Sequence, residues 1–118
     1  MKLIDSTQTK LLSKAMGAYE LRQKAIASNV ANLDTPGYKR KEVSFEDQLQ
    51  KAESTHLKGQ DQNFDRVRPE MIQQEQAPQL EDEMMTLSDT QMRVQLVTRA
   101  LRHSFQMIQR SIKSGQQG

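Results

Sequence analysis

The sequence predicts an all-α chain: two long terminal helices forming a coiled-coil-like hairpin, joined by an irregular, partly extended middle segment. Two observations predict the helices, since apolar residues recur in steps of four and three near each end. A third predicts the middle: between these stretches the periodicity disappears and prolines enter. The chain divides into residues 1–33, 34–79 and 80–118.

The C-terminal pattern is the cleaner. Leu80, Met84, Leu87, Gln91, Val94, Thr98, Leu101, Phe105, Ile108 and Ile112 step by four and three throughout, and only Gln91 and Thr98 are polar. Such spacing draws one apolar stripe along a helix. Met85, Met92, Leu96, Val97 and Met107 widen it. Glu81, Asp82 and Glu83 open the segment and Arg110 and Lys113 close it, in agreement with the helix dipole. Gly115 is the expected stop.

The N-terminal helix is expected from about Thr7 to Leu33. Its stripe is Leu12, Met16, Tyr19, Ile26, Val30 and Leu33, with Gln23 in the one polar slot. Ala15, Ala18, Ala25, Ala27 and Ala31 favour helix and permit close approach. Gly17 marks a tight contact or a point of fraying. Pro36 is the expected stop, because it disfavours helical geometry at Thr35.

In the middle, Pro36-Gly37 has the composition of a type II turn. Tyr38 to Val43 reads as a short extended segment. Ser44-Phe45-Glu46-Asp47 resembles a capping box opening a short helix near residues 45–52. From Glu53 to Gln79 the residues are mostly polar, broken by Pro69 and Pro78. So long a loop is normally functional or disordered, and the expectation is a surface segment that orders on a partner.

Composition narrows the function. Aromatic residues make up 4% of the chain and Trp is absent, so material for a broad globular interior is lacking. Seventeen basic residues face fifteen acidic ones, a balance that gives no argument for nucleic acid. Cysteine is absent, which excludes disulfides and thiolate chemistry. No stretch approaches a membrane span. Met1 to Lys10 lacks an apolar h-region and a small-residue cleavage site, so the expected location is the cytosol or a destination reached by an uncleaved route.

Candidate chemistry is sparse. His56 and His103 lack metal-ligand companions at helical spacing. No phosphate-binding loop or nucleophile elbow occurs. The expectation is a non-enzyme without cofactor, metal or small-molecule substrate. Lys39-Arg40-Lys41 is a short basic run, but Glu42 follows at once. A solvated strand or an acidic protein partner suits it better than phosphate. Met84, Met85, Met92 and Met107 fit either an internal core or an adaptable intermolecular surface.

Asn29 and Asn32 are the most informative residues. Asn is a poor helix-interior residue, because its amide competes for backbone groups. Two of them three apart lie on one face near the helix end. Asn32 capping the helix is one reading. The other is a fixed helix-to-turn corner, with both amides tying down the loop or an adjacent subunit.

Asn29-Val30-Ala31-Asn32, two further residues, then Thr35-Pro36-Gly37-Tyr38 resembles the N-terminal motif of the flagellar rod, hook and hook-associated axial protein family. The segments Lys41 to Leu49 and Glu83 to Met92 are also similar to rod members of that family. The lead-in to the last helix departs from the family pattern, with Gln76-Ala77-Pro78-Gln79-Leu80 in its place. The resemblance implies a structural subunit of the basal-body rod, spanning the periplasm and transmitting motor torque. It implies export by the flagellar type III apparatus without a cleaved signal. Implied partners are other rod proteins, the export-gate/MS-ring junction protein and further copies in a helical assembly. Asn29, Ala31, Asn32, Thr35, Pro36, Gly37 and Tyr38 would form the assembly corner, and the two apolar stripes the assembly faces.

Narrow stripes bury little, and ordering each residue costs roughly 1–2 kcal/mol in backbone entropy. Neighbouring subunits are expected to supply the missing area. The alternative is a cytosolic helical adaptor or export chaperone that binds partner helices.

Overall fold

The computed structural model describes residues 6–57 and 66–117, with side chains for 8–52 and 66–115. Three helices and two short strands follow in the order α1 (Ser6–Ala31), β1 (Lys41–Ser44), α2 (Glu46–Leu57), β2 (Glu70–Gln73) and α3 (Leu80–Gln117). The terminal helices pack together as the predicted hairpin. They run antiparallel. Ile26, near the end of α1, shares a cavity with Thr86 near the start of α3, and Met16 shares a cleft with Leu101 and Phe105. The molecule is 66 Å long and 16 Å thick, as a two-helix rod requires.

The seam differs from the predicted stripes by part of a turn. On α1 the buried residues are Ala15, Ala18, Tyr19, Ala25, Ile26 and Asn29. Leu12, Met16 and Val30 are half-buried, as is Leu33, which stands beyond the helix. The reason is that α1 serves two partners. Tyr19 meets Phe45 edge-on, with ring centroids 6.3 Å apart, while Val97 of α3 joins the same cluster with Ala15 and Ala18 of α1.

On α3 the buried positions are Glu83, Thr90 and Val97. Leu87, Val94, Leu101 and Ile108 flank them half-buried. Leu80, Met84, Phe105 and Ile112 of the predicted stripe are exposed, as are Met85, Met92 and Leu96.

The middle segment is not a free surface loop where it is described. β1 and β2 form an antiparallel ribbon pairing Lys41 with Gln73 and Ser44 with Glu70. Strand β2 was invisible to periodicity because all four of its residues are exposed. Phe45 and Val67 insert into the helix seam and are almost wholly buried. Lys14 Nζ donates to the Val67 carbonyl at 3.1 Å. Polar sequence concealed this packing because a few well-placed apolar residues suffice to anchor it.

Element ends shift for local reasons. Helix α1 stops at Ala31, before Pro36 acts. The Asn32 and Leu33 amides turn back to the Asn29 and Val30 carbonyls, three residues away, and tighten the last turn. Gly17 neither breaks α1 nor marks a tight contact, since an added Cβ there would meet nothing within 4 Å. Ser44 is not the cap of α2. It belongs to β1, and the Phe45 carbonyl accepts the Leu49 N–H at 3.0 Å. Helix α2 continues to Leu57, beyond the expected residue 52. Helix α3 passes through Gly115 to Gln117, because no residue there adopts the left-handed conformation of a glycine stop.

Candidate assembly site

The corner is assembled from side chains that imitate backbone. Asn29 is fully buried. Its Nδ2 donates to the Lys41 carbonyl at 2.8 Å, and the Lys41 N–H donates to its Oδ1 at 2.8 Å. The amide thus makes the two bonds a neighbouring strand would make, and it closes the edge of β1 that faces α1. Arg22 continues that edge by donating to the Val43 carbonyl at 2.9 Å.

Asn32 works locally. Its Nδ2 donates to the Ser28 carbonyl at 2.8 Å and its Oδ1 accepts from the Thr35 hydroxyl at 3.0 Å. Next come Thr35, Pro36, Gly37 and Tyr38. The Tyr38 N–H reaches the Thr35 carbonyl at 3.2 Å, and Gly37 sits at φ 77°, as a type II turn requires. The Tyr38 hydroxyl returns to α1, 2.7 Å from Ser28 Oγ. It also donates to Asn29 Oδ1 over a longer 3.4 Å. Ala31 is exposed and makes none of these bonds.

Charged groups lock the corner to its surroundings. The Arg22 guanidinium grips the Glu46 carboxylate through two bonds of 2.7 Å. Those bonds hold the Glu46 pKa below the ordinary glutamate range and raise that of Arg22, in both cases against the effect of burial. Arg93 donates to Asp89 at 2.8 Å, which raises its pKa, with Tyr19 contributing next.

The basic run Lys39-Arg40-Lys41 meets acidic groups of its own chain. Lys39 pairs with Glu75 at 2.9 Å and Arg40 with buried Glu83 at 3.1 Å. Sequence reasoning singled out the run and the acidic helix start separately. It missed their meeting because 43 residues separate Arg40 from Glu83.

Among the described residues, no cluster of acidic, His or Cys side chains is fit to hold a metal, and no helix is long and apolar enough to cross a membrane. His103 is exposed, and the side chain of His56 lies outside the described residues. An apolar cleft of about 390 Å³ lies between the helices, where Met16, Leu101 and Phe105 meet.

The helix α1 face and the whole corner coincide with a known pattern. Residues 12–39 match the family model described as flagella basal body rod protein. Over 32 residues the chain is 56% identical to the flagellar basal body rod protein FlgB of Borreliella burgdorferi, covering 27% of this chain and 24% of that protein. Over 43 residues it is 44% identical to FlgB of Bacillus subtilis, covering 36% of this chain and 33% of that protein. FlgB of Borrelia hermsii is 45% identical over 42 residues, 36% of this chain and 31% of its own length. The matched stretches thus span a quarter to a third of these curated relatives. The rod-protein motif is carried by the segment whose side chains build the corner.

Proposed function

We propose that this chain is a structural, non-catalytic subunit of the bacterial flagellar basal-body rod, of the FlgB kind. One observation carries the reading: the segment matching the rod-protein family model is the same segment that folds into a hydrogen-bonded corner directing the chain from α1 into β1. A family motif that coincides with a built structural element points to architecture. No comparison points to the adaptor or chaperone alternative, and that reading is set aside.

In this proposal Asn29, Asn32, Thr35, Pro36, Gly37 and Tyr38 fix the geometry of the corner. The open side of α3, with Leu80, Met84, Phe105 and Ile112, packs in coiled-coil fashion against neighbouring copies, other rod proteins and the junction protein at the export gate and MS ring. The half-buried Leu12, Met16, Val30, Leu33, Leu87, Val94, Leu101 and Ile108 are shared between the hairpin's own seam and these contacts. The rod spans the periplasm and carries torque. The subunit reaches it through the flagellar type III apparatus without a cleaved signal.

The test separates folding from assembly. Phe105 is 54% exposed, so Phe105→Asp leaves the hairpin intact. The variant is expected to show unchanged circular dichroism, absence from isolated basal bodies and loss of swimming. Normal motility with Phe105→Asp would overturn the proposal. Leu101→Asp is the weaker test, because Leu101 packs against the core cluster and its replacement also disturbs the fold.

A further inference from the structure

Helix α3 carries a second apolar line. Met85, Met92 and Leu96 are 72%, 57% and 59% exposed. Met85 and Met92 follow the buried Glu83 and Thr90 by two residues each. Two residues are about 200° around a helix, so both methionines stand on the side of α3 turned away from its buried line. Leu96 follows Met92 by four residues and returns to the same side. These three side chains therefore do not widen the seam, and they lie apart from the face of Leu80, Met84, Phe105 and Ile112. Single exposed apolar residues are ordinary. Three in line at steps of seven and four have the spacing of a helix-packing seam.

Charge indicates what covers this line. Residues 80–92 hold Glu81, Asp82, Glu83 and Asp89 and no cation, whereas residues 93–117 hold Arg93, Arg99, Arg102, Arg110 and Lys113 and no carboxylate. The helix dipole favours such an order only in the first and last turns. Arg99 lies about five turns into α3, so the dipole does not account for it. Arg40 takes Glu83 and Arg93 takes Asp89. Glu81 and Arg99 are exposed and have no ion partner among the described residues. Eighteen residues separate them, about five full turns, so both flank the apolar line on the same side.

A second copy of α3 laid antiparallel answers both features. Setting Met85 of one copy level with Leu96 of the other brings the two Met92 side chains close to the two-fold axis. The same alignment sets Glu81 of each copy level with Arg99 of the other, to within about one residue rise of 1.5 Å. In a two-fold antiparallel pair each flank meets the same flank of the other copy, so both ion pairs form at once. A parallel copy would set Glu81 on Glu81 and Arg99 on Arg99, a like-charge arrangement that opposes association.

We propose that α3 pairs antiparallel with α3 of a second copy of this chain through Met85, Met92 and Leu96, with Glu81 of each copy against Arg99 of the other. Both copies use the same patch, so the contact closes at two. A helical assembly grows through contacts that do not close. The pair is therefore a form of the free chain, and it does not rest on the rod reading.

Sedimentation equilibrium of the full-length chain at low salt should show monomer and dimer in exchange. Met92→Glu and Leu96→Glu should each give monomer with unchanged helical circular dichroism, because both positions are exposed. Glu81→Arg alone should weaken dimerisation by about tenfold or more, and Glu81→Arg with Arg99→Glu in one chain should restore it. Since the chain has no cysteine, a spin label at Ser88→Cys or Gln106→Cys reports the direction. The antiparallel pair should give a short distance between the two Ser88→Cys labels and about 45 Å between the two Gln106→Cys labels. A chain still monomeric at about 1 mM would overturn the proposal and leave this face to another protein. So would short distances at both label sites, which mean a parallel pair, or a dimer that survives Met92→Glu with Leu96→Glu. Should either apolar variant lose helix, the Glu81 and Arg99 variants carry the test, and failure of the double exchange to restore the dimer would overturn the proposal.

Discussion

Replacing Asn29 with alanine tests how much of the fold depends on one amide. The change removes two bonds of 2.8 Å and strands both the N–H and the carbonyl of Lys41. A buried polar group left unsatisfied costs about 1–3 kcal/mol. Lys41 is half-buried, so water recovers part of that and a gross loss of about 2–4 kcal/mol is reasonable. Alanine is the better helix former by about 0.5 kcal/mol, which leaves a net loss of about 1.5–3.5 kcal/mol. Asn29→Asp should be worse than Ala, because it keeps the acceptor but buries a carboxylate against the Lys41 carbonyl. Asn32→Ala should cost about 1 kcal/mol, since its bonds lie nearer solvent. Urea melts followed by circular dichroism give the energies. Hydrogen exchange at the Lys41 amide gives the location. If Asn29→Ala melted within about 0.5 kcal/mol of the parent and Lys41 kept its protection, the backbone-mimicking clamp would be refuted.

Other outcomes follow from the same geometry. Phe45→Ala should lose about 3–5 kcal/mol in the same melts, because the ring is 1% exposed and joins both helices to the middle segment; a loss under about 1 kcal/mol would show that the middle does not share the core. Two glycines should respond oppositely to alanine. Gly17→Ala should stabilise an open helical site by about 0.5–1 kcal/mol, whereas Gly37→Ala should destabilise by about 1–2 kcal/mol through its φ of 77° alone. The depressed pKa of Glu46 sets the sign of a pH effect. Its contribution is complete above the unfolded pKa of about 4.3 and disappears as pH falls through the lower folded value. Since its side chain is 40% exposed, solvent screening keeps the effect to about 1 kcal/mol or less. Glu46→Gln should therefore lose less stability than the parent between neutral pH and about pH 3.

Sequence alone determined the two helices, the corner and its turn type, because these depend on residues close together in the chain. Four-three spacing sets a helix face, Pro36-Gly37 sets a turn, and Asn29 with Asn32 mark a helix end whatever surrounds them. Tertiary structure decided which side of each helix became the seam. Leu87, Val94 and Leu101 are as apolar as a core line should be, yet Glu83, Thr90 and Val97 took the buried positions. Glu83 meets Arg40, which comes from another part of the chain. Likewise β2 exists because β1 offers it a backbone edge, and Phe45 and Val67 are core because two helices leave a space for them. Periodicity reports how a segment could divide between water and protein. It carries no record of which distant residue will stand opposite.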